Sequence, residues 1–497
     1  MPRDLNEIRD AAKVHLRRLT RRGFAQCVGE VSGDGDGDSN DEAAAPSWLH
    51  ESSTLDLIDN ASRQSDDPIR ARALGRLGAF LRQGRLWRRT APLDERLRGL
   101  FSERRIQVRD RDISFYALGE FLAVEPEAQR RAAAVAGALP ILEEAEPILL
   151  ERLEAQRRET AEWGGDLRSF GEGLRETSYD ALAEVAREFL DATAALTDQL
   201  LDLAASERLD AGRETLRRSD LHWVLRDPAA DAAFDGATVR RMGERVVALF
   251  SRDDRPASIL TLPPTSGPGR ALCFPIEVPG DVRIVHSSRH GLADARGLLH
   301  ELGHGMHFAQ TQEATWELAR LGSLAGSEMS AFVFDALTRN RRFLRDVAGL
   351  DDAAAERVAA ASRLETLHTI RRYAAKFLYE MEREARPDRA REIYRIRLSE
   401  AYRFELTEAD AARYLEDVDE LFYAADYLNG WRMAAALEGT LVERWGEGWF
   451  ANEGAVEHLR GLWAMGLGPP PEEWFERLGV DGEGTSPLVR VVAESGV

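Results

Sequence analysis

Five of the ten histidines fall in one window, at His286, His290, His300, His304 and His307. Two of them frame the run His300-Glu301-Leu302-Gly303-His304. On a helix, residues four apart lie about 40° apart around the axis and about 6 Å along it, so both imidazoles can reach one tetrahedral Zn2+ and leave coordination positions free. Glu301 projects beside them, placed to take a proton from a water held by the metal. At this frequency of histidine and acidic residues, chance supplies about 0.02 such runs per chain. Ala293 to His307 contains no proline, and Leu298, Leu299, Leu302 and Met306 offer an apolar face by which the helix can be buried.

Two histidines do not complete a zinc site. The segment Gly326-Ser327-Glu328-Met329-Ser330-Ala331 opens a second helix, with Ser327 as its N-cap and Glu328 as a third ligand 24 residues after His304. The plainer reading of Glu328 is a first-turn acid favoured by the helix dipole. Asp335, two turns further along the same face, can accept the second ring N–H of a ligating histidine, or it is a solvated acid. His307 either touches substrate or packs as an ordinary histidine. His286 and His290 precede the helix as weaker candidates for the third ligand, and His368 and His458 are bystanders. A tetrahedral intermediate also needs donors to its oxyanion, and Tyr423 and Tyr427, four apart, place two phenols on one helical face. Such a pair is also what a packed core would contain.

The elements that must position these residues are mostly helical. Leu182, Val185, Ala186, Phe189, Ala192, Leu196, Leu200 and Leu203 put one apolar stripe on a single long helix. Phe115 to Arg158 reads similarly, with breaks near Pro126, Pro140 and Pro147. The one strand signal is at 271–286, two apolar runs around Pro279-Gly280-Asp281, with Pro275 confining the first run to a sheet edge. Residues 1–28 form a basic helix. The Gly/Asp run from Gly33 to Glu42 follows. It lacks the glycine and the bidentate glutamate of a calcium loop and reads as a solvated linker. The organisation is therefore an N-terminal helix and acidic linker (1–45), a helical scaffold lobe (46–250) and a catalytic zinc lobe (251–497).

Composition bounds the function. A chain of 497 residues with 44% hydrophobic and 31% charged residues can bury a large core. The net charge of −20 is a poor match for a phosphate backbone, which argues against nucleic-acid binding. Only Lys13 and Lys376 are lysines among the 66 basic residues, a bias of genome composition. Two cysteines cannot build a disulfide framework, and no apolar run is long enough for a signal core or a membrane span. A cytoplasmic protein is expected.

His-Glu-Leu-Gly-His-Gly-Met-His at 300–307 resembles the HExGHxxH signature of the thimet oligopeptidase and oligoendopeptidase F family of zinc metallopeptidases. The resemblance covers about 271–344 and 415–480; before residue 250 it rests on helical character. It implies a mostly α, two-lobed fold with a deep channel and a small β-ribbon beside the active-site helix. It also implies Zn2+ as cofactor and short peptides as substrates. In that family a Glu on the following helix is the third ligand, matching Glu328, and an acid two turns later matches Asp335. A tyrosine-rich segment near the family's C-terminus assists the transition state, and Tyr423 and Tyr427 are similar to members of it. The family's substrate-pairing hairpin looks like 271–286. The chain departs from the pattern at Gly430, where the last tyrosine stands, and near Val418, where a histidine is expected. The carboxypeptidase Taq family shares the helical character, size and ligand order. The expectation is a zinc-dependent metallopeptidase. The alternatives are a peptide-binding protein on a degenerate peptidase scaffold, or a metallohydrolase for one dedicated biosynthetic peptide.

Overall fold

The computed structural model describes residues 4–28, 45–109, 111–251, 259–262, 271–286, 291–479 and 485–493. The expected Gly/Asp linker and His290 lie outside the described residues. The N-terminal helix, α1 (Leu5–Val28), forms as expected and buries Ile8, Ala12 and Phe24. Two long helices follow, α2 (Pro68–Glu103) and, after the hairpin of β1 (Arg105–Val108) and β2 (Arg111–Ser114), α3 (Ala128–Glu162). Asp67 caps α2 by accepting from Ile69 N, and Pro68 occupies the first helical position, where no N–H is needed.

The breaks expected at Pro140 and Pro147 do not occur, and α3 runs through both. Both prolines are exposed, as are Ala136 and Glu143, whose carbonyls lose their partners, so water can take those carbonyls. Only the interruption near Pro126 is observed. The stripe from Leu182 to Leu203 divides into two helices, α4 (Tyr179–Ala192) and α5 (Ala194–Leu209), instead of one. At the junction Arg371 donates to Leu190 O at 2.6 Å and to Thr193 Oγ1 at 2.7 Å, and Thr193 Oγ1 donates to Phe189 O. These bonds give the junction's polar groups partners outside the helical ladder, and beyond it the stripe runs out to Leu203, which is 59% exposed.

The ribbon has three strands where the sequence signals two. β3 (Ile259–Leu262) pairs parallel with β5 (Asp281–Val285), which pairs antiparallel with β4 (Leu272–Glu277), so β4 is an edge strand, as Pro275 requires. α1 packs on it: Phe24 meets Phe274 edge-on at 5.8 Å, and Arg283 lies over the Phe24 ring. The main core runs from Leu86 to Val492 and takes side chains from both sides of residue 250. Among the described residues no helix is long and apolar enough to cross a membrane.

Candidate metal centre

Three helices converge below the ribbon: α6 (Leu292–Gln310), α8 (Ala325–Ala336), which follows the short α7 (Trp316–Arg320), and α10 (Ala424–Trp445), which follows the long α9 (Asp352–Ala385). α6 is fixed at its start by Leu292 N donating to Asp231 Oδ1, and it buries the expected face of Leu298, Leu299, Leu302 and Met306. α6 and α8 touch at Gly303, where a Cβ would lie 2.6 Å from both Ala331 Cα and Ser330 O. α10 meets the other side of α8 at Gly430, where a Cβ would lie 2.6 Å from Glu328 Cβ. Both glycines are there because backbones approach too closely for any side chain. That closeness brings Glu328 to the two histidines.

The Nε2 atoms of His300 and His304 are 3.2 Å apart, and Glu328 Oε2 lies 3.6 Å from the first and 3.7 Å from the second. Two ligand atoms about 2.1 Å from one tetrahedral Zn2+ are about 3.4 Å apart, so the three atoms already have the spacing such an ion needs. Their other atoms are occupied. His300 Nδ1 lies 3.4 Å from Asp335 Oδ2, and His304 Nδ1 lies 2.8 Å from Ser327 Oγ. Glu328 Oε1 accepts from Tyr423 Oη at 2.6 Å. Glu328 Oε2 is buried and has no hydrogen-bond partner. A buried carboxylate oxygen without a donor is costly, and a cation between it and two imidazole lone pairs would relieve that cost. The residues present fit a divalent metal.

The electrostatics agree. Burial pushes Glu328 up to about 7, with His300 and the Tyr423 hydroxyl opposing. Burial pushes His304 well below the usual imidazole range, and the charge on His300 adds to this. For His300 burial acts downward, but the carboxylates of Asp335, Glu328 and Glu301 outweigh it and raise it to about 9. The carboxylates around His300 thus favour a positive charge at that imidazole.

Glu301 points from α6 toward the ribbon, where its Oε2 accepts from Cys273 N on β4 at 2.7 Å. Burial raises its carboxyl to about 7, against the pull of His300 and that N–H. The Tyr427 ring stands edge-on to Tyr423 at 4.9 Å and to Tyr373 at 4.7 Å, and stacks along Trp431.

His300, Glu301, His304, Glu328, Asp335, Tyr423 and Tyr427 are therefore gathered together. His307 is not part of the group, and the substrate-contact option is corrected: it is fully buried, with Nδ1 3.3 Å from Ser330 Oγ and Nε2 3.0 Å from Gly466 O. One helical turn past His304, it turns into the α6–α8 seam and not toward the ligands. His286 lies apart from the group as well, its Nε2 3.2 Å from Asp294 Oδ2. Ser327 is not an N-cap, since α8 begins at Ala325; it lies in the first turn and holds His304. Sequence reasoning also missed Arg296, 3.6 Å from Asp335 Oδ2, although its place one turn before His300 was a signal. Asp426 was missed as well. It pairs with buried Arg175 at 2.6 Å and accepts from Ser323 Oγ and Leu324 N, tying α10 to the start of α8.

No family model matches the sequence, and no curated protein does. Solved structures share the fold along nearly the whole chain. An M32 carboxypeptidase from Deinococcus radiodurans R1 is 16% identical with a TM-score of 0.64, covering 98% of this chain and 97% of its own. PZ peptidase A is 13% identical with a TM-score of 0.68, covering 100% and 97%. A structure described as a putative oligoendopeptidase F is 14% identical with a TM-score of 0.69, covering 100% and 96%. At such identities the likeness establishes the fold, that of a mostly helical peptidase scaffold, and the resemblance read from residues 300–307 holds at that level.

Proposed function

We propose that the protein is a zinc-dependent metallopeptidase that hydrolyses short peptides, with His300, His304 and Glu328 as ligands and Glu301 as general base. The observation that carries this reading is the unpartnered, buried Glu328 Oε2 facing two Nε2 atoms at 3.6 and 3.7 Å. Bound zinc would supply a Lewis acid for the scissile carbonyl and lower the pKa of a water.

The chain's own residues do the remaining work. Asp335 and Ser327 take the two imidazoles at their Nδ1 atoms, so both Nε2 atoms face Glu328 Oε2 and could bind a metal that displaces their proton. The Cys273 amide fixes one oxygen of Glu301, so the other is available to the attacking water. With its carboxyl near 7, Glu301 can take that proton and return it to the leaving amine. Tyr423, whose O–H donates to Glu328 at 2.6 Å, would in this reading turn that O–H to the developing oxyanion. Tyr427 packs beside it and offers a second phenol.

The test is cleavage of a mixed quenched-peptide library by wild type and by Glu301→Gln, with zinc content measured on both. The reading expects cleavage by the wild type and a fall of more than about 1,000-fold in the variant with zinc retained. Full cleavage by Glu301→Gln, or none by zinc-loaded wild type on any peptide, would overturn it.

A further inference from the structure

Arg320 closes the five-residue helix α7 and faces the outer edge of β4. Its Nη2 is 3.5 Å from Pro275 O, and its guanidinium lies 5.5 Å from the centre of the Phe308 ring. No carboxylate among the described residues pairs with it, and burial lowers it to about 10, with only Cys273 acting the other way. Three buried arginines are closely partnered. Arg175 pairs with Asp426, Arg131 pairs with Asp220, and Arg371 donates to three carbonyls and to Thr193. Among the described residues, one hydrogen bond of 3.5 Å leaves most of the five N–H donors of Arg320 unused. Arg320 is also half-buried, open to a small molecule without being freely solvated.

Its place relative to the general base is fixed by the strand. Cys273 N, which holds Glu301, and Pro275 O, which Arg320 touches, are two residues apart on the same edge of β4. That is about 6.7 Å along a strand, the length of one dipeptide repeat. An extended peptide with its cleaved bond at Glu301 would bring a group about two residues away against the guanidinium.

We propose that Arg320 receives a carboxylate of the substrate about two residues from the cleaved bond, so that the site favours peptides with a free C-terminus or an acidic side chain at that distance. Arg and carboxylate match in shape as well as charge, and the half-buried setting strengthens the pairing. The inference rests on the peptidase reading for what it calls the cleaved bond, but its test does not need turnover.

Zinc-loaded, full-length Glu301→Gln protein would be titrated by calorimetry with three N-acetylated probes. These are penta-alanine as the free acid, penta-alanine as the C-terminal amide, and that amide with glutamate in place of its fourth alanine. The free acid, the glutamate peptide or both should bind about 10- to 100-fold more tightly than the plain amide. The free-acid arm reads a terminal carboxylate, and the glutamate arm reads a side chain. Arg320→Ala should bring the ratio close to one, and Arg320→Lys should restore part of it. Equal affinity for all three probes, no binding of any, or an equal loss for all three in Arg320→Ala would overturn the inference. A carboxylate preference alongside a wild type that cleaves nothing would uphold Arg320 and overturn the peptidase reading. Cleavage without the preference would do the reverse.

Discussion

Along α4 the buried residues come in pairs, Leu182 with Ala183, Val185 with Ala186 and Phe189 with Leu190, and between them Glu184, Arg187 and Glu188 are exposed. α8 is buried at every position from Ala325 to Ala336. The first helix has one face to hide, and ordinary amphipathic packing hides it. The second is enclosed by α6 and α10, so its polar side chains must find partners inside the protein. Ser327 finds His304, Ser330 accepts from Trp463 Nε1, and Asp335 finds His300 and Arg296. What remains unpartnered is Glu328 Oε2 at the histidines, together with Asp335 Oδ1. A helix of the first kind is held by its periodicity. One of the second kind is held by close backbone approach and a polar network, and its unpartnered carboxylate oxygen at the histidines is where the proposed metal would bind.

If that contrast is right, adding one methyl group should have opposite effects in the two kinds of setting. The largest effect is expected at Gly303→Ala. Its Cβ would meet backbone atoms at 2.6 Å, so α6 and α8 must separate, at a cost of about 3 kcal/mol in a denaturant titration and with weakened zinc affinity. Next comes Asp335→Asn, which should lower zinc affinity about 10- to 100-fold, read by competition with a chelating dye, with a smaller change in stability. Smallest, and of opposite sign, is Gly75→Ala on the exposed side of α2. Nothing lies within 4 Å of its added methyl, and the helix should gain about 0.5–1 kcal/mol. If Gly303→Ala proved as harmless as Gly75→Ala, the close approach of α6 and α8 would not be what holds the site.

The same contrast explains what the sequence could reveal. His300, Glu301 and His304 were legible because chemistry demands those residue types at helical spacing, and Glu328 because a short connection allows a return helix. The stripe on α4 was legible as far as Phe189. Its continuation past Thr193 was not, because the break depends on Arg371, 178 positions away from that threonine. Pro140 and Pro147 looked like breaks because a sequence does not say which face of a helix meets water. The need for glycine at 303 and 430 was hidden for a related reason: it depends on which helix crosses there. Ser327 looked like a cap because its partner, His304, belongs to another element. The packed state of His307 also needed the fold, since Gly466, which binds it, is 159 positions away.

The central claim is that His300, His304 and Glu328 together hold one divalent metal ion, and zinc stoichiometry tests it most directly. Metal-stripped wild type and Glu328→Gln would be titrated with Zn2+ by calorimetry, with circular dichroism confirming that both remain helical. One zinc per chain is predicted for the wild type, with affinity reduced more than about 100-fold in the variant. A wild type that binds no zinc, or a Glu328→Gln protein that binds it equally well, would contradict the account.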